Sequence, residues 1–356
     1  MLLRDCIPLE FGRMALGIAF LGGVVVIGMT GTSKAGPSCD SHPGFTVIDA
    51  SHPLTDILPR GGRPAMAAIR DLGVDTIVRY YDNVAETLPC KTLVPEETGA
   101  ILQAGFNLLA VFQHHNDNPM TFVTPGRGTL DAQRAIELAL ANGQPSGSAI
   151  YFGVDGVDGA VQSANYEYAK SGGGEISSAR QVTLENSMGA GSFRKHQAFY
   201  DIYREEAVDL FGGTAGKHGP RDILPYIDTY FRDIQTIFTN FGNQTGMRFK
   251  IGGYGGGLVC DHLLSTGMVD FCWLSQSKGL AGYQSFEASQ KWVMRQELTT
   301  VCNGWKFGTG GDFQFDFNTV NPRTPDFGQW NTQVDYAVPF SRPLKRDGVG
   351  CYAWSD

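Results

Sequence analysis

The chain lacks the short motifs that announce several common chemistries. No Cys-x-x-Cys pair occurs, so neither a zinc ribbon nor a thioredoxin-type redox site has a basis. No Gly-x-Ser-x-Gly elbow marks a serine hydrolase. The glycine run Gly252-Gly253-Tyr254-Gly255-Gly256-Gly257 does not fit Gly-x-Gly-x-x-Gly, and no well-placed ribose-binding acid follows, which argues against a dinucleotide site. Charge is scarce and leans one way: 18% of the 356 residues are charged, with 28 Lys and Arg against 36 Asp and Glu, a net charge of −8. An acidic surface repels phosphate backbones, so no nucleic-acid partner is expected.

Long apolar runs are also few. Residues 14–30 (MALGIAFLGGVVVIGMT) carry no charge, and Ser33-Lys34-Ala35 supplies the small-x-small pattern of a signal-peptidase site. Residues 1–35 therefore read as a secretory signal, leaving 36–356 as the mature domain in a secreted, periplasmic or cell-envelope location. The alternative is an uncleaved anchor, which would be the chain's sole contact with a membrane. Cysteine usage agrees with export. Cys6 leaves with the signal, and the even set Cys39, Cys90, Cys260, Cys272, Cys302 and Cys351 is open to disulfide pairing in an oxidising compartment, with the connectivity undetermined.

What is present is an alternation of strand and helix. Strands are expected over residues 45–49, 74–81, 106–112, 149–155, 249–254, 269–274, 292–296 and 312–317. Helices are expected over 65–72, 95–105, 130–140, 196–210, 222–241 and 258–265, with weak or absent helices in the last third. Pro95-Glu96-Glu97 suits a helix first turn. Eight strands largely separated by helices predict an α/β fold of the (β/α)8 TIM-barrel type, irregular in its last third. A Gly/Ser/Ala-rich insertion of about residues 156–220 follows strand four. A doubly wound open sheet is the competing arrangement.

Several strands end in polar groups. Asp49 closes strand one, Arg79 and Tyr80 strand two, Gln113 strand three, Asp155 (with Asp158 close behind) strand four, and Gln296 strand seven; Asp316 lies in strand eight. In a (β/α) barrel such ends converge on one cleft. Paired carboxylates there suit glycoside hydrolysis, one held protonated as acid and the other ionised. Each acid taken singly is more simply a turn or cap residue. Tyr80, Tyr254 and Trp273 could stack on sugar rings or pack in the core. His114-His115-Asn116-Asp117 invites a metal, but adjacent strand histidines point to opposite faces and no third ligand is suitably spaced, so no metal or cofactor is called for.

The ordered phrases Val47-Ile48-Asp49-Ala50-Ser51, Val78-Arg79-Tyr80-Tyr81, Ala104-Gly105-Phe106, Val111-Phe112-Gln113, residues 150–155 (IYFGVD), Ile251-Gly252-Gly253-Tyr254-Gly255 and residues 273–277 (WLSQS) carry a resemblance. Together, from about Gly44 to Asn321, the chain resembles a bacterial glycoside-hydrolase-like domain, formerly a domain of unknown function. That TIM-barrel family is related to the barrel lysozymes of glycoside hydrolase family twenty-five. The resemblance implies that Asp49 is the strand-one acid, Asp155 the first strand-four acid, and Asp316 the acid of a strand-eight Asp-x-Asn. Those lysozymes carry Asp-x-Glu on strand four with the Glu as proton donor; here the next acid is Asp158, three positions on.

These readings converge on an exported barrel acting on a cell-envelope polysaccharide such as peptidoglycan. Asp158 or Asp155 would be donor, Asp49 and Asp316 would shape the charge, and Arg79, Tyr80, Gln113, Tyr254, Trp273 and Gln296 would bind substrate. The alternatives are a non-catalytic glycan-binding module on the same barrel and a structural envelope protein.

Overall fold

Two periods organise the molecule, one of two residues along strands and one of 3.6 along helices. A computed structural model describes residues 46–56, 64–82, 91–114, 116, 120–154, 224–278, 282–297, 316–336, 344–346 and 352–354. The expected signal over residues 1–35 lies outside the described residues, as do the whole insertion over 156–220 and the expected helix over 196–210.

Eight strands form a closed barrel in chain order: β1 (Val47–Asp49), β2 (Thr76–Tyr81), β3 (Asn107–Phe112), β4 (Ala149–Val154), β5 (Lys250–Gly255), β6 (Phe271–Leu274), β7 (Met294–Gln296) and β8 (Asp316–Val320). The helices between them are α1 (Ala65–Asp71), α2 (Pro95–Gln103), α3 (Met120–Val123), α4 (Arg127–Ala141), α5 (Leu224–Thr245), α6 (Gly257–Ser265) and α7 (Tyr283–Ser289). The barrel is thus the expected fold, and α7 supplies a short helix where little or none was expected. A two-stranded antiparallel sheet, β9 (Leu344–Arg346) with β10 (Tyr352–Trp354), follows.

Strands β1 to β7 pair in parallel, but β8 runs antiparallel to both β7 and β1. An antiparallel neighbour needs no crossover helix, whereas a parallel one does. The eighth strand also starts at Asp316, close to where the sequence pattern ends it.

Alternation then sorts the strand side chains. Val47, Val78, Leu109, Val111, Ala149, Tyr151, Trp273 and Met294 fill the barrel interior. Their neighbours Ile48, Ile77, Leu108, Ala110, Phe112, Ile150, Phe152 and Phe317 face outward into a second core with Ile69, Ile101, Ile136, Phe231 and Ile234 of the helices. Burial on both faces explains why these strands read as continuous apolar runs.

The interior is packed solid below the mouth. A Cβ on Gly252 would sit 2.5 Å from the Tyr151 ring, so glycine on β5 gives that ring its place. The segment after β8 seals the opposite end. Trp330 and Leu108 exchange backbone hydrogen bonds of 2.7 and 2.9 Å, and Phe327 enters the interior core. Gly328 (φ +85°) accepts a backbone bond from Ala149, and a Cβ there would meet the Ala149 Cβ at 2.2 Å.

One disulfide joins α6 to β6, Cys260 to Cys272, with Cα atoms 5.7 Å apart. It sits among Leu274, Tyr283, Phe286 and Trp292, fully buried. The other four cysteines of the expected set lie outside the described residues. Cross-linking residues 12 apart removes freedom chiefly from the unfolded chain. Replacing both cysteines by alanine should therefore lower the unfolding free energy by about 3 kcal/mol, read from denaturant titration.

Candidate active site

The mouth at the C-terminal ends of β1–β7 gathers the polar groups. Asp49 is the last residue of β1, and its register partner across the barrel seam is Asp316, the first residue of β8. On the other side of β8, Gln296 at the end of β7 pairs with Asn318. Because β8 runs backwards, its first residue shares a rim with the last residues of its neighbours. Tyr80 of β2, Tyr254 of β5 and Trp273 of β6 each stand one residue before their strand ends, on the interior side.

Asp49 is the hub and is only 3% exposed. Its Oδ1 accepts from the Tyr80 hydroxyl at 3.1 Å. Its Oδ2 accepts from the Asn318 amide at 2.9 Å and the Gln296 amide at 3.1 Å. The Gln296 amide nitrogen also reaches Asp316 Oδ2 at 3.3 Å, so one side chain bridges both carboxyls. Behind these lie two aromatic donors: the Trp273 indole donates to Asn318 Oδ1 (2.8 Å) and the Tyr254 hydroxyl to Gln296 Oε1 (2.8 Å). The two rings pack with centroids 4.4 Å apart.

Burial raises the Asp49 carboxyl first, and the charge of Asp316 raises it further. The hydrogen bonds from Asn318, Gln296 and Tyr80 pull it back down, and the balance leaves it at about 7. A carboxyl held protonated near neutrality next to a second carboxyl can give and take a proton under ordinary conditions.

A cationic corner adjoins it. Lys91 lies 4.7 Å over the Tyr80 ring, reaches Gln113 Oε1 at 3.3 Å, and stands 3.9 Å from Asp82. Asp82 in turn bonds His114 Nδ1 at 2.7 Å. Gln113 thus joins the mouth through Lys91, and His114 is engaged with a carboxylate.

The structure brings together Asp49, Tyr80, Tyr254, Trp273, Gln296 and Asp316. It does not bring Arg79. That side chain is fully buried on the outward face of β2, paired with Glu97 of α2 through bonds of 2.8 and 3.0 Å, and it also holds the Ala50 carbonyl. The period of two explains this: Val78 and Tyr80 point in, so Arg79 points out. Trp273 is only 1% exposed, so it packs rather than presents a face to ligand. Asp155 and Asp158 lie outside the described residues. Asn318 joins the site as the last residue of the strand-eight Asp-x-Asn, Asp82 as the polar residue directly after β2, and Lys91 without any motif that singled it out.

Comparison with known proteins gives a partial match. Residues 67–183 match a family model described as "Rv2525c-like, glycoside hydrolase-like domain". The uncharacterized protein YbfG of Bacillus subtilis (strain 168) is 24% identical over 270 residues, 74% of this chain; the chain spans only about a quarter (26%) of that relative's length. Among solved structures, the Tat-secreted protein Rv2525c of Mycobacterium tuberculosis in complex with L-tartrate aligns at 16% identity with TM-score 0.45, over 80% of this chain and 98% of its own. The modular autolysin LytC of Streptococcus pneumoniae aligns at 11% and TM-score 0.40, over 78% of this chain and 47% of its own.

The Asp49 shift has a consequence for stability. Between its unfolded value near 4 and its folded value of about 7, the folded chain holds a proton that the unfolded chain has released. Stability should therefore fall as pH rises through that window and level off above it. Asp49→Asn should remove this slope. Relative to wild type, the variant should gain roughly 4 kcal/mol at pH 8 compared with pH 4, at about 1.4 kcal/mol per unit, measured by urea unfolding of both proteins across the range.

Proposed function

We propose that this chain is an exported glycoside hydrolase acting on a cell-envelope polysaccharide, with peptidoglycan as the first substrate to test. The observation that carries the proposal is the Asp49–Asp316 pair at the barrel mouth, one carboxyl buried and held protonated to about 7, the other half-buried beside it. Barrels of this class do their chemistry at that end, and glycoside hydrolysis needs two carboxyls in different protonation states. In this reading Asp316 meets the positive charge that develops on the sugar ring, and Asp49 is its proton-holding partner. Asp155 or Asp158, following β4, delivers the proton to the departing oxygen. Tyr80, Gln113 and Tyr254 line the sugar, and the kinship with the family-twenty-five lysozymes rests on the sequence resemblance, in which Asp49 and Asp316 take the places of the strand-one and strand-eight acids. Export rests on the charge-free run over 14–30 and on Ser33-Lys34-Ala35.

A second reading is a glycan-binding module without turnover. It is favoured by how closed the centre is: Asp49, Gln296 and Asn318 are each at most 4% exposed and bonded mainly to one another.

The two separate by assay. With purified peptidoglycan, wild type should release new reducing ends. Asp316→Asn and Asp155→Asn should each lower kcat by about 10²-fold or more, with the fold intact by circular dichroism. Saturable binding with no release of reducing ends by wild type would select the binding module instead.

A further inference from the structure

Tyr254 and Trp273 look like sugar platforms by position, but their hydrogen bonds give them another task. An indole N–H can only donate. Its bond to Asn318 therefore requires the amide oxygen to face Trp273, which turns the Asn318 –NH2 toward Asp49. The two hydrogens of that –NH2 are both used, one on Asp49 Oδ2 at 2.9 Å and one on the Asp316 backbone carbonyl at 3.3 Å. The Gln296 amide repeats the arrangement. Its oxygen takes the Tyr254 hydroxyl, and its two hydrogens go to Asp49 Oδ2 at 3.1 Å and Asp316 Oδ2 at 3.3 Å.

Among the described residues, Asp49 Oδ2 is consequently bonded by two N–H groups and by no acceptor. Its Oδ1 is met by the Tyr80 hydroxyl, which can donate or accept. We propose that Trp273, acting through Asn318, and Tyr254, acting through Gln296, are positioning residues that confine the proton of Asp49 to Oδ1, beside Tyr80, and keep Oδ2 a pure acceptor. When Asp49 is ionised, Tyr80 donates to Oδ1; when Asp49 is protonated, the bond reverses and Oδ1–H donates to the Tyr80 oxygen. Proton exchange with the mouth thus passes the Tyr80 side, where Lys91 lies over the ring. Among the described residues, the charged group that bears on this carboxyl is Asp316 from β8; Gln296 and Asn318 are neutral. The catalytic use of this arrangement rests on the proposed function, but the arrangement itself does not.

The assignment predicts where the proton sits and what holds it there. Neutron diffraction from wild-type crystals at about pH 5 should show deuterium on Asp49 Oδ1 and both amide –ND2 groups directed at Oδ2. Deuterium on Oδ2, or an Asn318 oxygen facing Asp49, overturns it. In solution, Trp273→Phe frees the Asn318 amide to turn its oxygen toward Asp49. The carboxyl should then titrate about one unit higher, since a hydrogen bond to an ionised group is lost. Carbon-13 NMR of the aspartate carboxyls reads this, with Asp49→Asn assigning the resonance. In an Asn318→Ala background the same substitution should add nothing. An unmoved titration in folded Trp273→Phe, or an undiminished effect in the Asn318→Ala background, overturns the proposal; should Trp273→Phe fail to fold, the neutron result on wild type decides. Neither readout uses substrate. Absence of turnover would remove the proposed hydrolase and leave this inference standing, and an unmoved titration in an active protein would do the reverse.

Discussion

The direction of β8 is the constraint on which the mouth depends. Laid antiparallel between β7 and β1, this strand puts its first residue, Asp316, directly across from Asp49, and its third, Asn318, across from Gln296. Run parallel, with the same residues at its start, the strand would carry Asp316 to the far end of the barrel, where Trp330 and Phe327 close the floor. Antiparallel pairing closes the barrel and assembles the acid pair in one step, and every hydrogen bond to Asp49 except that from Tyr80 comes from β7 or β8.

Two buried charges near β1 and β2 are handled in opposite ways. The buried Arg79 guanidinium donates two bonds to Glu97 and a third to the Ala50 carbonyl. This cluster also ties Leu54 N to Glu97 at 2.9 Å, so it anchors the loop leaving β1 from the outer side. Among the described residues, Asp49 has no cation within bonding reach. Amide and hydroxyl donors lower its carboxyl, but burial and Asp316 outweigh them, and the group keeps its proton to about 7. Removing a charge from water is tolerable only with a close counter-charge or by neutralisation, and these neighbouring residues show one solution each. The first suits a structural anchor, and the second suits a centre that exchanges protons.

The centre is also well supported. Trp273 and Tyr254 hold the two amides, the Cys260–Cys272 disulfide fixes the outward face of β6 one residue from Trp273, and Tyr151 fills the space beneath. A flip of Asn318 would set its –NH2 against the indole N–H, donor against donor, and a flip of Gln296 would set its oxygen against the oxygens of two carboxyls, so the network favours one arrangement.

Local chemistry carried much of this protein in its sequence. Continuous apolar runs marked the strands, Pro95-Glu96-Glu97 marked the start of α2, and Gly105 and Gly143, both at positive φ, marked the ends of α2 and α4. Asp49, Tyr80, Tyr254, Gln296 and Asp316 were legible because they interrupt or end such runs with polar atoms. What the chain order could not carry was strand direction, and with it the role of Asn318: a short segment such as residues 316–320 reads the same in either sense, since its hydrogen-bond partners lie on other strands, 20 residues away in β7 and 269 away in β1. Arg79 illustrates the other limit. Its inward or outward aspect depends on a one-residue phase that only the packing of α2 against β2 fixes, and the buried Glu97 opposite it decided the matter. Local sequence determined which segments became strands and helices; tertiary pairing decided which polar side chains share a cavity, because register and direction are properties of two strands at once.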